Sequence, residues 1–419
     1  MELYRLRKSK KIFPENINMK KTFISILCCL LFSSVSLFAE ITFSGYAGAK
    51  ADLYSTDSDE FDPGLKIQSF FSGQLNFSQN IILNAEFSLA TDDLIENSIF
   101  KEAPASFKID ELSLIFRKQF YSATSYLSAF MGTYEPIGSD IFLRRQFSIQ
   151  PIASKITESW LGLSGSIIYP MFGAGGSEVI RFNSVPLATG IYVYVNHELE
   201  DSYVLNTDLR FAGNFRWFTF DVAAGLGMPM NTSSSDSAFI IVNTLYWKAG
   251  ANLLIGNAKT TSLFIQAGFS EMSFKKKNNK WELNEDTAYF LFEPRLKTKR
   301  FQAHLTLFSM PQETVDNFIF IEDMSGANLN VFTDNLHFWN KPFTFGLNGA
   351  FSFKDKNLFD LIDEPDTMFD DYSINVAPYL MTQFYNGEVH FMTIVKVKDF
   401  IDSKPGSAFK FSLGYKTQF

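Results

Sequence analysis

From Phe409 to Phe419 apolar and polar positions alternate, and the chain stops on a phenylalanine. Phe409, Phe411, Leu413, Tyr415 and Phe419 fall on one face, interrupted only by Thr417. Lys410, Ser412, Gly414, Lys416 and Gln418 fall on the other. Successive side chains of a strand point to opposite faces, so this pattern predicts a strand with an apolar medium on one side and water on the other. The period recurs along the chain. Ile41, Phe43, Gly45, Ala47 and Ala49 share a face, as do Phe218, Phe220, Val222, Ala224 and Leu226. Phe343, Phe345, Leu347, Gly349 and Phe351 repeat it, followed by Val389, Phe391, Thr393, Val395 and Val397. Charges keep to the complementary face: Asp208 with Arg210, Glu293 with Arg295 and Lys297, and Glu388 with Lys396.

The connections between these runs are unequal. Those at Tyr54–Pro63, Thr91–Ser106, Glu135–Glu158, Pro229–Ser237, Lys275–Asp286 and Lys354–Asp371 are long and polar. Those near Gln79–Asn80, Gly213–Phe215, Gly256–Lys259, Lys297–Arg300 and Tyr385–Gly387 are short. A soluble sandwich also alternates, but it does not sort its links by length and must protect its edges. Long and short links in turn predict an all-β fold, a transmembrane antiparallel β-barrel of about 16 to 18 strands. Its long loops would be extracellular and its turns periplasmic. Pro170–Pro186 and Phe318–Pro342 leave the count open; an even number is expected because both ends lie on one side.

The last strand closely resembles the closing strand of bacterial outer-membrane β-barrels, whose C-terminal assembly signal Ser412, Gly414 and Phe419 match. Thr417 stands where that signal has an apolar residue. The other end agrees. Met19-Lys20-Lys21 opens a basic segment, Phe23 to Phe32 is an apolar run too short to span a bilayer, and small residues lead to a cut after Ala39. Residues 1–39 therefore read as a signal peptide with an N-terminal extension, Met19 being the expected true start. Residues 40–419 read as one barrel domain. Cys28 and Cys29 are the chain's two cysteines, and Leu27 before Cys28 argues against lipidation. Beyond the leader, disulfide and cysteine–metal chemistry are excluded.

Apolar residues make up 46% of the chain and phenylalanine alone counts 47. No run of 18 apolar residues follows the leader, which excludes a helical membrane protein. The formal charge is −8, and removing a basic leader makes the remainder more acidic, which argues against a nucleic-acid partner.

The third long link, Glu135 to Glu158, carries Asp140, Arg144, Arg145 and Lys155. The arrangement resembles that of general porins, and the resemblance implies a third loop folded into the barrel to narrow the pore with charged residues. Two adjacent arginines there would favour anionic solutes; a solvated surface or a continuing strand would explain the same pair. By strand phase Lys66, Glu86, Asp208, Arg210, Glu293 and Arg295 face the lumen, either completing a constriction or pairing across strands to hold the wall.

Catalysis is a poor fit. The chain's four histidines are His197, His304, His337 and His390. Asn196-His197 is similar to the Asn-His-x-Ser element of outer-membrane phospholipases, but Leu199 stands where the nucleophile is required. No histidine follows an aspartate at the spacing of outer-membrane aspartic-type proteases; Glu388-Val389-His390 is the closest. His304 and His390 are expected to line the lumen as ordinary polar residues. The acidic stretch Lys354–Asp371 lacks the calcium-loop spacing and reads as a solvated loop, and Lys275-Lys276-Lys277 as another. Trp160, Trp217, Trp247 and Trp281 suit interfacial girdles.

The function expected is passive diffusion of small hydrophilic solutes, selected by size and charge, with no cofactor, no metal and no turnover. Alternation begins at Ile41, two residues after the proposed cut, which leaves no room for a plug domain before the first strand. Expected partners are outer-membrane lipid, periplasmic chaperones and the barrel-assembly machinery, with a homotrimer by porin analogy. The alternatives are a surface protein, adhesin or ligand-binding barrel, acting through its extracellular loops, or a hydrophobic-substrate transporter.

Overall fold

In the computed structural model the alternation closes on itself. The structure describes residues 41–419 except 56–58, 96–104, 158–166, 200–201, 232–238, 241–243, 258–260, 276–279, 317, 319, 334–335, 339–340, 355, 364–370, 403 and 405. The leader assigned to residues 1–39, with Met19, lies outside the described residues.

Eighteen long strands form the wall. In chain order they are β1 (Thr42–Ser55), β2 (Pro63–Ser78), β3 (Ile81–Thr91), β4 (Ala105–Gln119), β5 (Ala123–Thr133) and β6 (Phe172–Phe182). Then come β7 (Leu187–Leu199), β8 (Ser202–Asn214), β9 (Phe218–Asn231), β10 (Thr244–Gly256), β11 (Ser262–Lys275) and β12 (Ala288–Lys297). The last six are β13 (Phe301–Ser309), β14 (Ser325–Thr333), β15 (Lys341–Phe353), β16 (Tyr372–Phe384), β17 (Gly387–Lys396) and β18 (Phe409–Gln418). Short ladders at Phe239–Ile240, Lys280–Leu283 and Leu336–Phe338 extend hairpins at the rims.

Every strand pairs antiparallel with its neighbour in sequence, and β1 pairs β18 from Tyr46↔Gln418 to Leu53↔Phe411. Closure leaves the wall with no edge strand, so its ladder hydrogen bonds are satisfied within the wall, as a strand in hydrocarbon requires. Phe419 locks the seam. Its N–H and C=O exchange 3.0 Å hydrogen bonds with Gly45, and its ring stacks on Phe43 and Phe71 at 5.2 and 5.8 Å.

The two faces are sorted as the pattern predicts. Phe43, Leu127, Leu209, Val222, Leu305, Leu329, Leu347 and Leu413 are exposed on the outside. Asp208, Arg210, Asp221, Gln266, Glu293, Asn328, Asn330 and Ser412 are buried on the inside. A globular protein does the reverse; the inversion fits a barrel with lipid outside and water within. Exposed aromatics gather at the rims: Tyr121, Trp217 and Tyr385 at one, and the Trp247–Trp281 pair, 6.0 Å apart, at the other. Trp160 lies outside the described residues.

One rim carries short turns, such as 79–80, 298–300 and 385–386. The other carries the longer links, including 92–104, 134–171, 310–324, 354–371 and 397–408. Several boundaries differ from the sequence expectation. The turn placed at Gly213–Phe215 falls at 215–217, and the Pro229–Ser237 link starts only after Asn231. The long rim also has one very short link, 200–201, and one unforeseen long one, 397–408. Pro170–Pro186 resolves into a single strand, β6, and Phe318–Pro342 into β14 with the Leu336–Phe338 ladder.

Candidate functional site

The third link lies between Thr133 and Phe172, longer than the Glu135–Glu158 expectation, and its described parts, 134–157 and 167–171, lie against the inward face of the wall. It turns inward where β5 ends. Gly132 and Gly138 have φ of 97° and 103°, and Glu135, with φ 48°, is a buried non-glycine in the left-handed region. A carboxylate side chain at such an angle costs about 1–2 kcal/mol, and Glu135 has the contacts to offset it. Its carboxylate accepts from Tyr192 Oη at 2.7 Å and lies 3.4 Å from Arg145, while its carbonyl accepts from Arg210 at 2.6 Å.

A short helix, α1 (Ile141–Phe147), follows. Phe142, Leu143 and Gln146 form its buried face, and Ser148 ends it in the left-handed region, donating to the Arg144 carbonyl at 2.9 Å. Asp140 precedes the helix but does not cap it. Its Oδ2 accepts instead from the N–H groups of Ile152 and Ala153, both at 3.0 Å, tying the descending chain back to the helix start.

The adjacent arginines do different things. Arg145 reaches the wall: it donates to both oxygens of Glu111 on β4 at 2.7 and 2.9 Å, and it lies 5.2 Å from the Tyr134 ring. Its charge is met by Glu111 and Glu135. Arg144 is exposed and has no ion pair within 4.0 Å among the described residues. It lies within electrostatic reach of Tyr46 on β1 and of Asp140.

Four of the six wall candidates, Asp208, Arg210, Glu293 and Arg295, are paired. Arg210 holds Asp221 of β9 through two bonds of 2.8 and 2.5 Å, with neither side chain exposed, and stacks on Phe142 of α1 at 4.1 Å. Asp208 faces Lys248 of β10 at 3.5 Å. Glu293 holds Arg295 at 2.6 Å and also accepts from Thr306 of β13 at 2.6 Å and from Ser154 of the loop. Arg295 donates to the Ile152 carbonyl at 2.8 Å. Farther along, Gln266 of β11 donates to the Gly138 carbonyl at 2.8 Å, and Arg181 of β6 to the Gln146 carbonyl at 2.9 Å.

Close packing completes the seat. A Cβ on Gly250 of β10 would come within 2.6 Å of Ile137, and one on Gly268 of β11 within 2.5 Å of Ile168. Hydrogen across these two wall positions is what lets the loop lie flat. The loop is thus tied to β4, β6, β7, β8, β11 and β12 and packed on β10.

Of the eight residues expected at a constriction, seven are engaged in pairs or loop bonds, and Arg144 alone is exposed with no ion pair among the described residues. Asp208, Arg210, Glu293 and Arg295 hold the wall and its contact with the loop, which is the cross-strand alternative stated above. Sequence reading missed Glu111, Tyr192, Asp221, Lys248 and Gln266. Strand phase alone puts them inside; nothing local says that the loop reaches them. Glu86 is buried on the inward face and accepts from Ser72 at 2.7 Å. His304 sits 3.4 Å from Glu293, and His390 packs edge-on to Tyr379; both are buried on the inward face, whereas His197 and His337 are exposed. Ser154 donates to Glu293, the same glutamate that His304 approaches.

No family model matches this chain, and no curated protein matches it either. Its fold is similar to solved bacterial porins. A Rhodopseudomonas blastica porin mutant aligns at 9% identity over 90% of this chain and 100% of its own, with TM-score 0.40. Salmonella typhi OmpF in complex with daunomycin aligns at 12% over 90% and 97%, with TM-score 0.40. Acinetobacter baumannii OccAB3 aligns at 8% over 91% and 100%, with TM-score 0.47.

Proposed function

We propose that the chain is a bacterial outer-membrane channel through which small hydrophilic solutes diffuse passively, filtered by the inward-lying part of the third link, residues 134–157. The observation that carries this reading is the loop laid across the interior of a closed barrel with an apolar outside and a polar inside. Barrels of this width hold water unless something fills them. In this reading the loop takes up part of the section, and what remains sets the size limit.

Charge selection falls to Arg144. The other charges of the site are taken up in ion pairs and loop bonds, whereas the Arg144 guanidinium, on the exposed side of α1, makes no ion pair among the described residues and attracts anions and repels cations. The reading places the long rim outside the cell, the short turns in the periplasm, and Phe419 with Ser412 and Gly414 as the signal read by the assembly machinery. The chemistry is transfer without turnover.

Single-channel recording of the refolded barrel in a planar bilayer tests the reading. Steady conductance with a reversal potential displaced toward the anion under a salt gradient is expected. A folded, heat-modifiable barrel that never conducts would overturn it and favour function through the loops.

A further inference from the structure

The seam between β1 and β18 holds a second charged feature, remote in sequence from the third loop. Asp52 of β1 stands opposite Lys66 of β2 on one side and Ser412 of β18 on the other, with Lys410 two residues along β18. Lys396 at the end of β17 and Glu322 of the 310–324 link complete a pocket of about 190 Å³. That is space for roughly six waters at their liquid volume.

The pocket's carboxylates are already committed. Asp52 pairs with Lys50 at 3.0 Å, and Glu322 pairs with Lys396 at 2.7 Å. Lys66 and Lys410 have no carboxylate within 4.0 Å among the described residues; the Lys66 ammonium lies 5.1 Å from the Tyr54 ring. The pocket therefore presents two ammonium groups with unmet charge, on adjacent sides of one cleft, beside the aromatic ring of Tyr54. Strand phase turns it toward the lumen, since Leu413 of the same seam is exposed on the opposite face.

We infer that this seam pocket binds the oxyanion group of a small solute, a phosphate or a carboxylate, between Lys66 and Lys410. Two convergent ammonium groups suit such a group because each can donate a charge-assisted hydrogen bond to a different oxygen. Tyr54 would flank the solute's carbon skeleton. That a solute reaches the pocket by passing through the barrel rests on the channel reading; the binding itself does not.

The test is titration calorimetry on the full barrel in detergent, with inorganic phosphate and with succinate as probes. Saturable binding of at least one probe is expected. Lys66→Gln and Lys410→Gln should each weaken it about 10-fold, the loss of one charge-assisted hydrogen bond, and Lys66→Arg or Lys410→Arg should largely restore it. Heat-modifiable mobility identifies the folded variants. Binding of neither probe, or binding indifferent to both lysines, would overturn the inference. Conductance of the same preparations separates the two proposals: a barrel that conducts but binds neither probe keeps the channel and loses the pocket. One that binds but never conducts does the reverse.

Discussion

Neutralising the two adjacent arginines one at a time should give two different phenotypes. Arg144 makes no ion pair among the described residues, so Arg144→Gln removes a positive charge from the passage without breaking one. A unit charge about 8 Å from a permeating ion in water is worth roughly 0.5 kcal/mol. It acts with opposite sign on anion and cation, so their permeability ratio should move toward the cation by about fivefold in dilute salt. Near 0.1 M, where the Debye length is about 10 Å, the change should shrink to about twofold. Arg145→Gln instead strips Glu111 and Glu135 of their shared partner. Breaking a buried pair costs about 3–5 kcal/mol; Arg145 is 21% exposed while Glu111 is fully buried, which puts the cost nearer 2–3 kcal/mol. That energy comes out of the loop's hold on β4, so the channel should become noisy as well as less anion-selective. Reversal potentials under a salt gradient and open-channel noise, recorded for both variants, decide the matter. Identical behaviour of the two, or an unmoved reversal potential in Arg144→Gln, would refute the reasoning.

Three further outcomes follow from the same geometry. Gly250→Val places a branched side chain where even a Cβ lies 2.6 Å from Ile137 and 3.2 Å from Ile168, both side chains of the loop, so the loop must lift and single-channel conductance should change while the barrel still folds. Asp221→Asn leaves the fully buried Arg210 guanidinium without its charge partner; by the usual cost of about 3–5 kcal/mol, the urea midpoint of unfolding should fall markedly. At the long rim, the hydrogen bond from Lys398 holds the Asp371 carboxyl below its ordinary value, and Lys354 at 3.8 Å adds to it. A carboxyl depressed in the folded state stabilises above its unfolded pKa, and the contribution is lost as pH falls through the lowered value. Hydrogen exchange around residues 371 and 398 should therefore stay slow at neutral pH and quicken only below the usual aspartate range.

Much of the wall was legible because lipid on one side and water on the other force a period of two, and every strand must obey it. Phe218 to Leu226 and Phe343 to Phe351 carry that period plainly in sequence. The alternation blurred where glycine replaces the outward or inward residue. In β6 the run Phe172-Gly173-Ala174-Gly175-Gly176 hides a strand, and a Cβ at Gly175 would strike Tyr194 on the neighbouring strand at 2.5 Å. In β14 the inward positions are Asn328 and Asn330, polar but uncharged, so no charge marks the inward face and the strand count stays open there.

The site was legible in composition but not in pairing. Arg144, Arg145 and Asp140 announced a charged loop, yet which arginine stayed free depended on Glu111, 34 residues away in sequence. The bonds from Arg210 to Glu135 and from Arg295 to Ile152 span 75 and 143 residues. Contacts at such separations follow from the path of the loop across a closed barrel, and no local pattern encodes that path. The left-handed backbone at Glu135, which starts the path, leaves no trace in a residue type that usually avoids it.

The central claim is that the exposed side of α1 lines the route solutes take. Cys28 and Cys29, both in the assigned leader, are the chain's only cysteines, so a cysteine placed at Arg144 would be the single thiol of the barrel. Single-channel current through Arg144→Cys, recorded before and after a small negatively charged methanethiosulfonate is added, measures the claim directly. A stepwise, thiol-reversible fall in current with a shift toward cation selectivity is the predicted result; full labelling of the cysteine with no change in current or reversal potential would contradict it.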